Sequence, residues 1–272
     1  MTDVAAARAD SADDSFVDAY LRRLAVERRE PSDLAFLLTL HGAHLRSVPF
    51  ENLSIHLGEP LSLEPSALAT KILERHRGGF CYELNGLFAR LLDLLGYRVV
   101  VLGARVSDGQ KFGPPLDHLV LTVGTADEDG RWIVDVGFGD HSVYPVPWQE
   151  GVDHHDPGGV FRLEPAGDGN WDLYRNGSVQ YRIEPNSRLL ADFEAMCWYH
   201  QTSPRSHFTR SLVCTRRTEA GRVTLSGRRL IITTADGKRE TEIDGDERLL
   251  DAYREAFGIE LDRIPTVRSP CG

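Results

Sequence analysis

The sequence predicts an α+β fold in which helices come first, antiparallel strands follow, and a mixed segment closes the chain. Three observations carry this. Apolar residues recur at helical spacing up to Gly96, short Val-, Leu- and Ile-rich runs bounded by turn residues begin at Tyr97, and the strongest helical stripe opens on a single cysteine, Cys81. With 272 residues the chain is long enough for one large domain or two to three smaller ones with substantial cores.

Met1–Asp14 is rich in Ala and Asp without apolar periodicity and reads as a mobile tail, residues 1–14. Ser15, with Asp18 three residues later, resembles a helix start, and Phe16, Ala19, Tyr20 and Leu24 form its buried face. A second helix is predicted from about Asp33 to Leu45, turning Leu34, Leu37, Leu38, His41 and Leu45 inward, and the Val48–Leu53 segment ends it. Pro65–Arg75 makes a third, with proline at its first turn. Cys81–Leu95 makes the fourth: Leu84, Leu87, Phe88, Leu91, Leu92 and Leu95 follow the i, i+3, i+4, i+7 spacing of one buried face, and Gly96 stops it. Residues 15–96 therefore read as a helical bundle.

Strands are predicted over Tyr97–Val106, Leu116–Val123 and Arg131–Val136, then over Phe161–Glu164, Trp171–Arg175 and Val179–Glu184. Together with a returning helix, Leu189–His200, they make residues 97–200 an antiparallel sheet or barrel. Residues 201–272 hold predicted strands at Arg210–Thr215 and Arg222–Leu225. A hairpin, Arg229–Thr234 and Lys238–Ile243, turns about Asp236-Gly237, and a last helix, Glu247–Phe257, ends at Gly258. Asp140–Gly159, with His141, Trp148, His154 and His155, reads as an exposed polar loop. Its histidines and aspartates match no metal-ligand spacing, so no metal is expected.

Composition narrows the class. At 41% hydrophobic and 26% charged residues the chain is an ordinary globular protein, and 31 basic against 41 acidic residues leave a net charge of −10. That balance opposes binding to nucleic acid or an anionic membrane, and a polyanionic ligand would need a local basic patch or backbone N–H groups. The four cysteines are too far apart for a short metal motif. No segment has the length of a membrane span and the N-terminus lacks a signal-peptide apolar run, so a cytoplasmic, reducing setting is expected.

The chemistry centres on Cys81. It falls at the first turn of its helix, after Gly78-Gly79, where the positive end of the helix dipole favours thiolate. A thiol nucleophile needs a base, and the base an orienting partner. A tight hairpin centred on Asp127 sets His118 nearly opposite Asp135, within reach of an imidazole–carboxylate bond. The bland alternatives are a core cysteine, a rim histidine and a turn-capping aspartate; the three together favour a triad.

These residues stand in a pattern that resembles the arylamine N-acetyltransferase family. Its marks are Val48-Pro49-Phe50-Glu51-Asn52-Leu53, Arg77-Gly78-Gly79-Phe80-Cys81-Tyr82-Glu83-Leu84-Asn85-Gly86, His118 before an apolar strand, Asp135-Val136-Gly137-Phe138-Gly139, and Thr202-Ser203-Pro204 with Phe208. The resemblance implies a helical bundle, a β-barrel and an α/β lid around a Cys-His-Asp core. It implies acetyl-CoA as acyl donor, a small aromatic amine or hydrazine as partner, and Cys81, His118 and Asp135 as the triad. It further implies Phe138 and Phe208 as apolar walls, Gly137 and Gly139 as places where CoA approaches the backbone, and Tyr82 N–H as an oxyanion donor. Asp117 is a weaker candidate for CoA contact, and Arg77–Glu51 a structural ion pair. The expected assembly is a monomer or homodimer. An amide synthase of the same fold, acting on a carrier-bound chain, would use the same triad. A thiol hydrolase and a non-catalytic binder remain open from other classes.

Overall fold

The computed structural model describes residues 2–127 and 129–267, with side chains from residue 11 onward. Helix α1 runs Thr2–Leu24, so the stretch expected to be a mobile tail is instead the first half of a helix. Ala5, Ala6, Ala7 and Ala9 supply helix propensity where an apolar stripe is missing, and the helix extends well before Ser15. Its buried residues are Phe16, Val17, Tyr20, Leu21 and Leu24. Helix α2, Leu34–Ser47, starts at Asp33, whose carboxylate accepts the Phe36 N–H at 2.7 Å. Its buried face holds Phe36, Leu37, Leu40, His41 and His44, whereas Leu38 and Leu45 are half-buried. The helix packs against α1 on one side and the C-terminal sheet on another, so no single stripe describes its burial.

After β1 (Phe50–Glu51) come a short helix α3 (Leu53–Leu57) and α4 (Pro65–Ala69), which continues as a π-helical turn, Thr70–Glu74. Helix α5 runs Cys81–Leu94 and is buried along nearly its whole first three turns. Together α1, α2, α5 and one face of the adjoining strand β3 (His118–Gly124) enclose the first of three hydrophobic clusters.

Eight strands form one antiparallel sheet in the order β5-β4-β3-β2-β9-β8-β7-β6. They are β2 Arg98–Val106, β3, β4 Arg131–Val134, β5 Val146–Pro147, β6 His154–Asp156, β7 Gly159–Pro165, β8 Trp171–Arg175 and β9 Ser178–Ser187. A bridge from Glu150 to Leu163 brings the segment after β5 back to β7, so the sheet nearly closes into a barrel. Its interior cluster includes Leu102, Val120, Ile133, Phe161, Leu173, Tyr181 and Ile183. Every residue of β3 is buried, because α5 covers one face and the barrel interior the other.

Residues 140–159 are not the exposed loop expected. They supply β5 and β6, and His141, Ser142, Val143 and Val146 are buried. Asp156 organises the segment by accepting the N–H groups of Val143 and Tyr144, each at 2.9 Å.

The C-terminal part is a five-stranded antiparallel sheet, β1-β10-β11-β12-β13, with β10 Val213–Thr218, β11 Gly221–Ser226, β12 Arg229–Thr234 and β13 Gly237–Glu242. Helix α8, Asp246–Phe257, lays Leu249, Tyr253 and Phe257 on it, forming the third cluster with Cys214 and Leu225, and Gly258 ends it at φ +68. The predicted hairpin is present, but Thr234 pairs with Gly237, so its two-residue turn is Ala235-Asp236, one position early. Between barrel and C-terminal sheet lie α6 (Glu194–Thr202) and α7 (His207–Arg210). No helix among the described residues is long and apolar enough to cross a membrane.

Candidate active site

The loop that delivers Cys81 is fixed by buried charges. The Arg77 guanidinium, 2% exposed, pairs with Glu51 at 2.9 Å and Glu59 at 3.2 Å. Glu51 donates its own N–H to Gly79 O at 2.8 Å and accepts the Leu53 N–H at 2.6 Å. A side chain at Gly78 would collide with Pro49 O, and one at Gly79 would meet the Glu83 carboxylate, so both glycines serve close approach. Glu83 accepts the Phe80 N–H at 3.2 Å and pairs with Lys71 at 2.7 Å, holding the start of α5. Cys81 is thus the first residue of a firmly anchored helix, 3% exposed.

His118 opens β3, and its Nε2 lies 2.8 Å from Asp135 Oδ2, while the ring lines the same cleft as Cys81. The hairpin register differs by one residue from the sequence expectation, with Leu121 opposite Val134, and Asp135 lies just past the end of β4. The carboxylate reaches His118 from the departing chain, held there by Asn85. Asn85 Nδ2 donates to Asp135 Oδ1 at 2.9 Å and to Leu119 O at 2.6 Å, while its Oδ1 accepts the Val136 N–H at 2.8 Å. Gly137 N–H donates to Asp135 Oδ1 at 3.0 Å. One turn of α5 therefore carries both the thiol and the group that seats the aspartate.

Burial alone would lower the His118 pKa, but the charge and hydrogen bond of Asp135, then Cys81, push it up to about 10. Burial works to raise Asp135, yet His118, His141 and Asn85 hold it well below the usual carboxylate range. Each partner thus favours the charged form of the other, His118 the carboxylate of Asp135 and Asp135 the imidazolium of His118.

Cys81 and His118 open into a cleft of about 560 Å³ between barrel and C-terminal sheet. Phe50, Phe138 and Phe208 give it apolar walls, with Phe138 edge-on to His118 at 5.2 Å between ring centres. Asp117 also lines the cleft; burial raises its pKa to about 6, although it accepts the Val106 N–H at 2.9 Å.

The remaining expected residues take other parts. The Tyr82 side chain is buried and donates to Leu116 O at 2.7 Å, so only its N–H, at the helix start, can face a ligand. A Cβ at Gly137 would lie 2.7 Å from Cys81 Cα, and one at Gly139, where φ is +92, 3.3 Å from the Phe50 ring. Both glycines admit the protein's own backbone and ring, and Gly137 also lines the cleft. Sequence reasoning missed Asn85, whose signal was a lone polar residue four positions after Cys81 on the apolar face. It also missed Tyr181 and His141, which stack at 5.4 Å behind His118 and carry no local signal. Cys197 and Cys214 are free and buried.

The chain matches the N-acetyltransferase family model over residues 33–266. It is 36% identical over 260 residues to the arylamine N-acetyltransferase of Mycolicibacterium smegmatis, covering 89% of this chain and 91% of the relative. Among solved structures, the arylamine N-acetyltransferase from Salmonella typhimurium superposes with a TM-score of 0.85 at 30% identity, over 94% of this chain and 95% of that one. The Mycobacterium marinum arylamine N-acetyltransferase in complex with CoA gives 0.80 at 31% identity, over 89% and 92%. Likeness at this level, running through nearly the whole of both chains, is membership: the chain belongs to the arylamine N-acetyltransferase family.

Proposed function

We propose that the chain moves an acetyl group from acetyl-CoA to an arylamine or arylhydrazine by a ping-pong reaction through acetyl-Cys81. The observation that carries this reading is one cleft onto which the helix-start thiol and His118 both open, with Asp135 bonded to His118 from behind. The Cys81 thiolate attacks the thioester carbonyl, and the N–H groups at the start of α5, which lack intrahelical acceptors, stabilise the oxyanion. The bond from carbon to CoA sulfur then breaks, and the departing thiolate takes the His118 proton. In the second half the amine nitrogen attacks acetyl-Cys81, neutral His118 accepts the proton it sheds, and the carbon–Sγ bond breaks to restore the thiolate–imidazolium pair.

Acetyl-CoA as donor is supported by charge. In a chain of net charge −10, Lys111, Arg205 and Arg210 gather on the cleft and make no ion pair among the described residues. Set against Asp108 and Asp117 on the same cleft, they leave a local positive excess that suits a polyanionic donor. The phenylalanine walls suit an aromatic acceptor whose nitrogen is neutral at pH 7. Initial rates against acetyl-CoA at several fixed arylhydrazine concentrations should give parallel double-reciprocal lines. Intersecting lines would mean a ternary complex and would remove the covalent intermediate.

A further inference from the structure

The turn after Asp135 is held from several sides, and one of its holders comes from the C-terminal sheet. Gly137 rests against the Cys81 backbone and Gly139 against the Phe50 ring. Beyond them Arg222, on β11, donates to the Gly139 carbonyl and pairs with the Asp140 carboxylate at 3.1 Å. Arg175, on β8, meets the same aspartate from the barrel, donating to Asp140 O at 3.0 Å and lying 3.5 Å from its carboxylate. The Arg222 side chain is largely buried, and a buried guanidinium is kept only where its partners compensate the lost water. Phe138 sits between the gripped ends of this turn, its ring on the cleft and edge-on to His118.

We propose that Arg222 is a positioning residue for the aromatic acceptor: by tying Gly139 and Asp140 to the C-terminal sheet, it fixes the Phe138 ring against which the acceptor lies. This rests on the acetyl-transfer reading above. The triad has its own anchors in Asn85 and Gly137, so the loss of Arg222 falls more heavily on the acceptor step than on acetylation of Cys81. Lysine is no substitute, because a single ammonium lacks the planar fork that serves a carbonyl and a carboxylate together.

The test compares Arg222→Lys and Asp140→Asn with wild type, using phenylhydrazine as the acceptor. Single-turnover mass spectrometry follows acetylation of Cys81, steady-state rates yield the acceptor KM, and calorimetry on a Cys81→Ala background reads phenylhydrazine affinity without transfer. In Arg222→Lys the acceptor KM and Kd should rise about tenfold, at least five times the change in the acetylation rate. Asp140→Asn, which keeps the bond from Arg222 to Gly139 O, should move the same way by less. Equal losses in both steps, or an acceptor Kd within twofold of wild type in folded Arg222→Lys, overturns the assignment. Should Arg222→Lys fail to fold, Asp140→Asn decides, since its side chain is 60% exposed. A wild-type enzyme that never carried acetyl on Cys81 would sink the transfer reading, and the calorimetric comparison would still decide the role of Arg222.

Discussion

Replacing Asn85 with alanine should be among the costliest single truncations in the molecule, although Asn85 does not line the cleft. Its side chain is fully buried and makes three hydrogen bonds, to Leu119 O, Asp135 Oδ1 and the Val136 N–H, at 2.6 to 2.9 Å. Alanine leaves those partners without their side-chain bond in a site closed to bulk water. Each buried group left unsatisfied costs roughly 1–3 kcal/mol, so the expected destabilisation is about 3–5 kcal/mol, allowing for partial repair by water or by the Gly137 N–H. For a chain of this size that is a fall in Tm of roughly 6–15 °C. Activity should fall further than stability explains, because Asp135 loses a holder and His118 its fixed orientation; a drop on the order of 10²-fold in the acetylation rate at a temperature where the variant is folded is expected. Urea denaturation and single-turnover acetylation measure the two effects separately. An alanine variant within 0.5 kcal/mol of wild type (roughly the noise of surface substitutions) and within twofold in rate would refute the claim that Asn85 seats the aspartate.

Three further outcomes follow from the same geometry. Asp135→Asn should lower both activity, on the order of 10³-fold, and stability, because the amide no longer balances the imidazolium; wild-type rates in that variant would remove Asp135 from the triad. Gly137→Ala should cost about 1–3 kcal/mol and impair the acetylation rate, since its Cβ would meet Cys81 Cα, a backbone atom that cannot swing away; unchanged kinetics would show that the turn can shift freely. Stability should peak near neutral pH. His141 is buried and its pKa is pushed down to about 4, burial first and the His118 and Arg175 charges with it outweighing the raising effect of Asp135, so it folds neutral while the unfolded chain takes up a proton below 6.5. That costs up to about 3 kcal/mol as pH falls from 6.5 to 4. Asp135, depressed, adds its own loss below 3.8, whereas His118, raised, contributes stability that is full below 6.5 and lost as pH rises through about 10. Urea midpoints at pH 5 and pH 6.5, a window below the range where His118 loses its contribution, check the acid side: His141 and His200, both pushed down to about 4, together outweigh Asp117, whose raised pKa works the other way, and a higher midpoint at pH 5 would contradict it.

How much of this was legible in the sequence depends on whether burial was one-sided. Helix α5 was readable because its apolar stripe is local, and so was the terminal helix that Gly258 ends. The face of α2 was misread because two neighbours cover it, and periodicity records only one. His118 and Asp135 were paired correctly although the hairpin register was off by one: a side chain just past the strand end has the reach to absorb a single-residue slip. The burial of His141 and the stacking of Tyr181 behind His118 depend on how the barrel closes, and barrel closure leaves no trace in local spacing. Gly137 and Gly139 were recognised as places of close approach, and the fold adds that Cys81 and Phe50 pack against them. Asn85 was visible as a polar break in an apolar stripe, and its partners became known only with the fold.

The central claim is a covalent acetyl group on Cys81. Intact-protein mass spectrometry of wild type and Cys81→Ala, sampled at short times after mixing with acetyl-CoA and again after adding an arylhydrazine, tests it directly. Wild type alone should gain one acetyl group, discharged by the hydrazine as acetylated product. Acetylated hydrazine formed with no adduct at any time, or formed equally by Cys81→Ala, would contradict it.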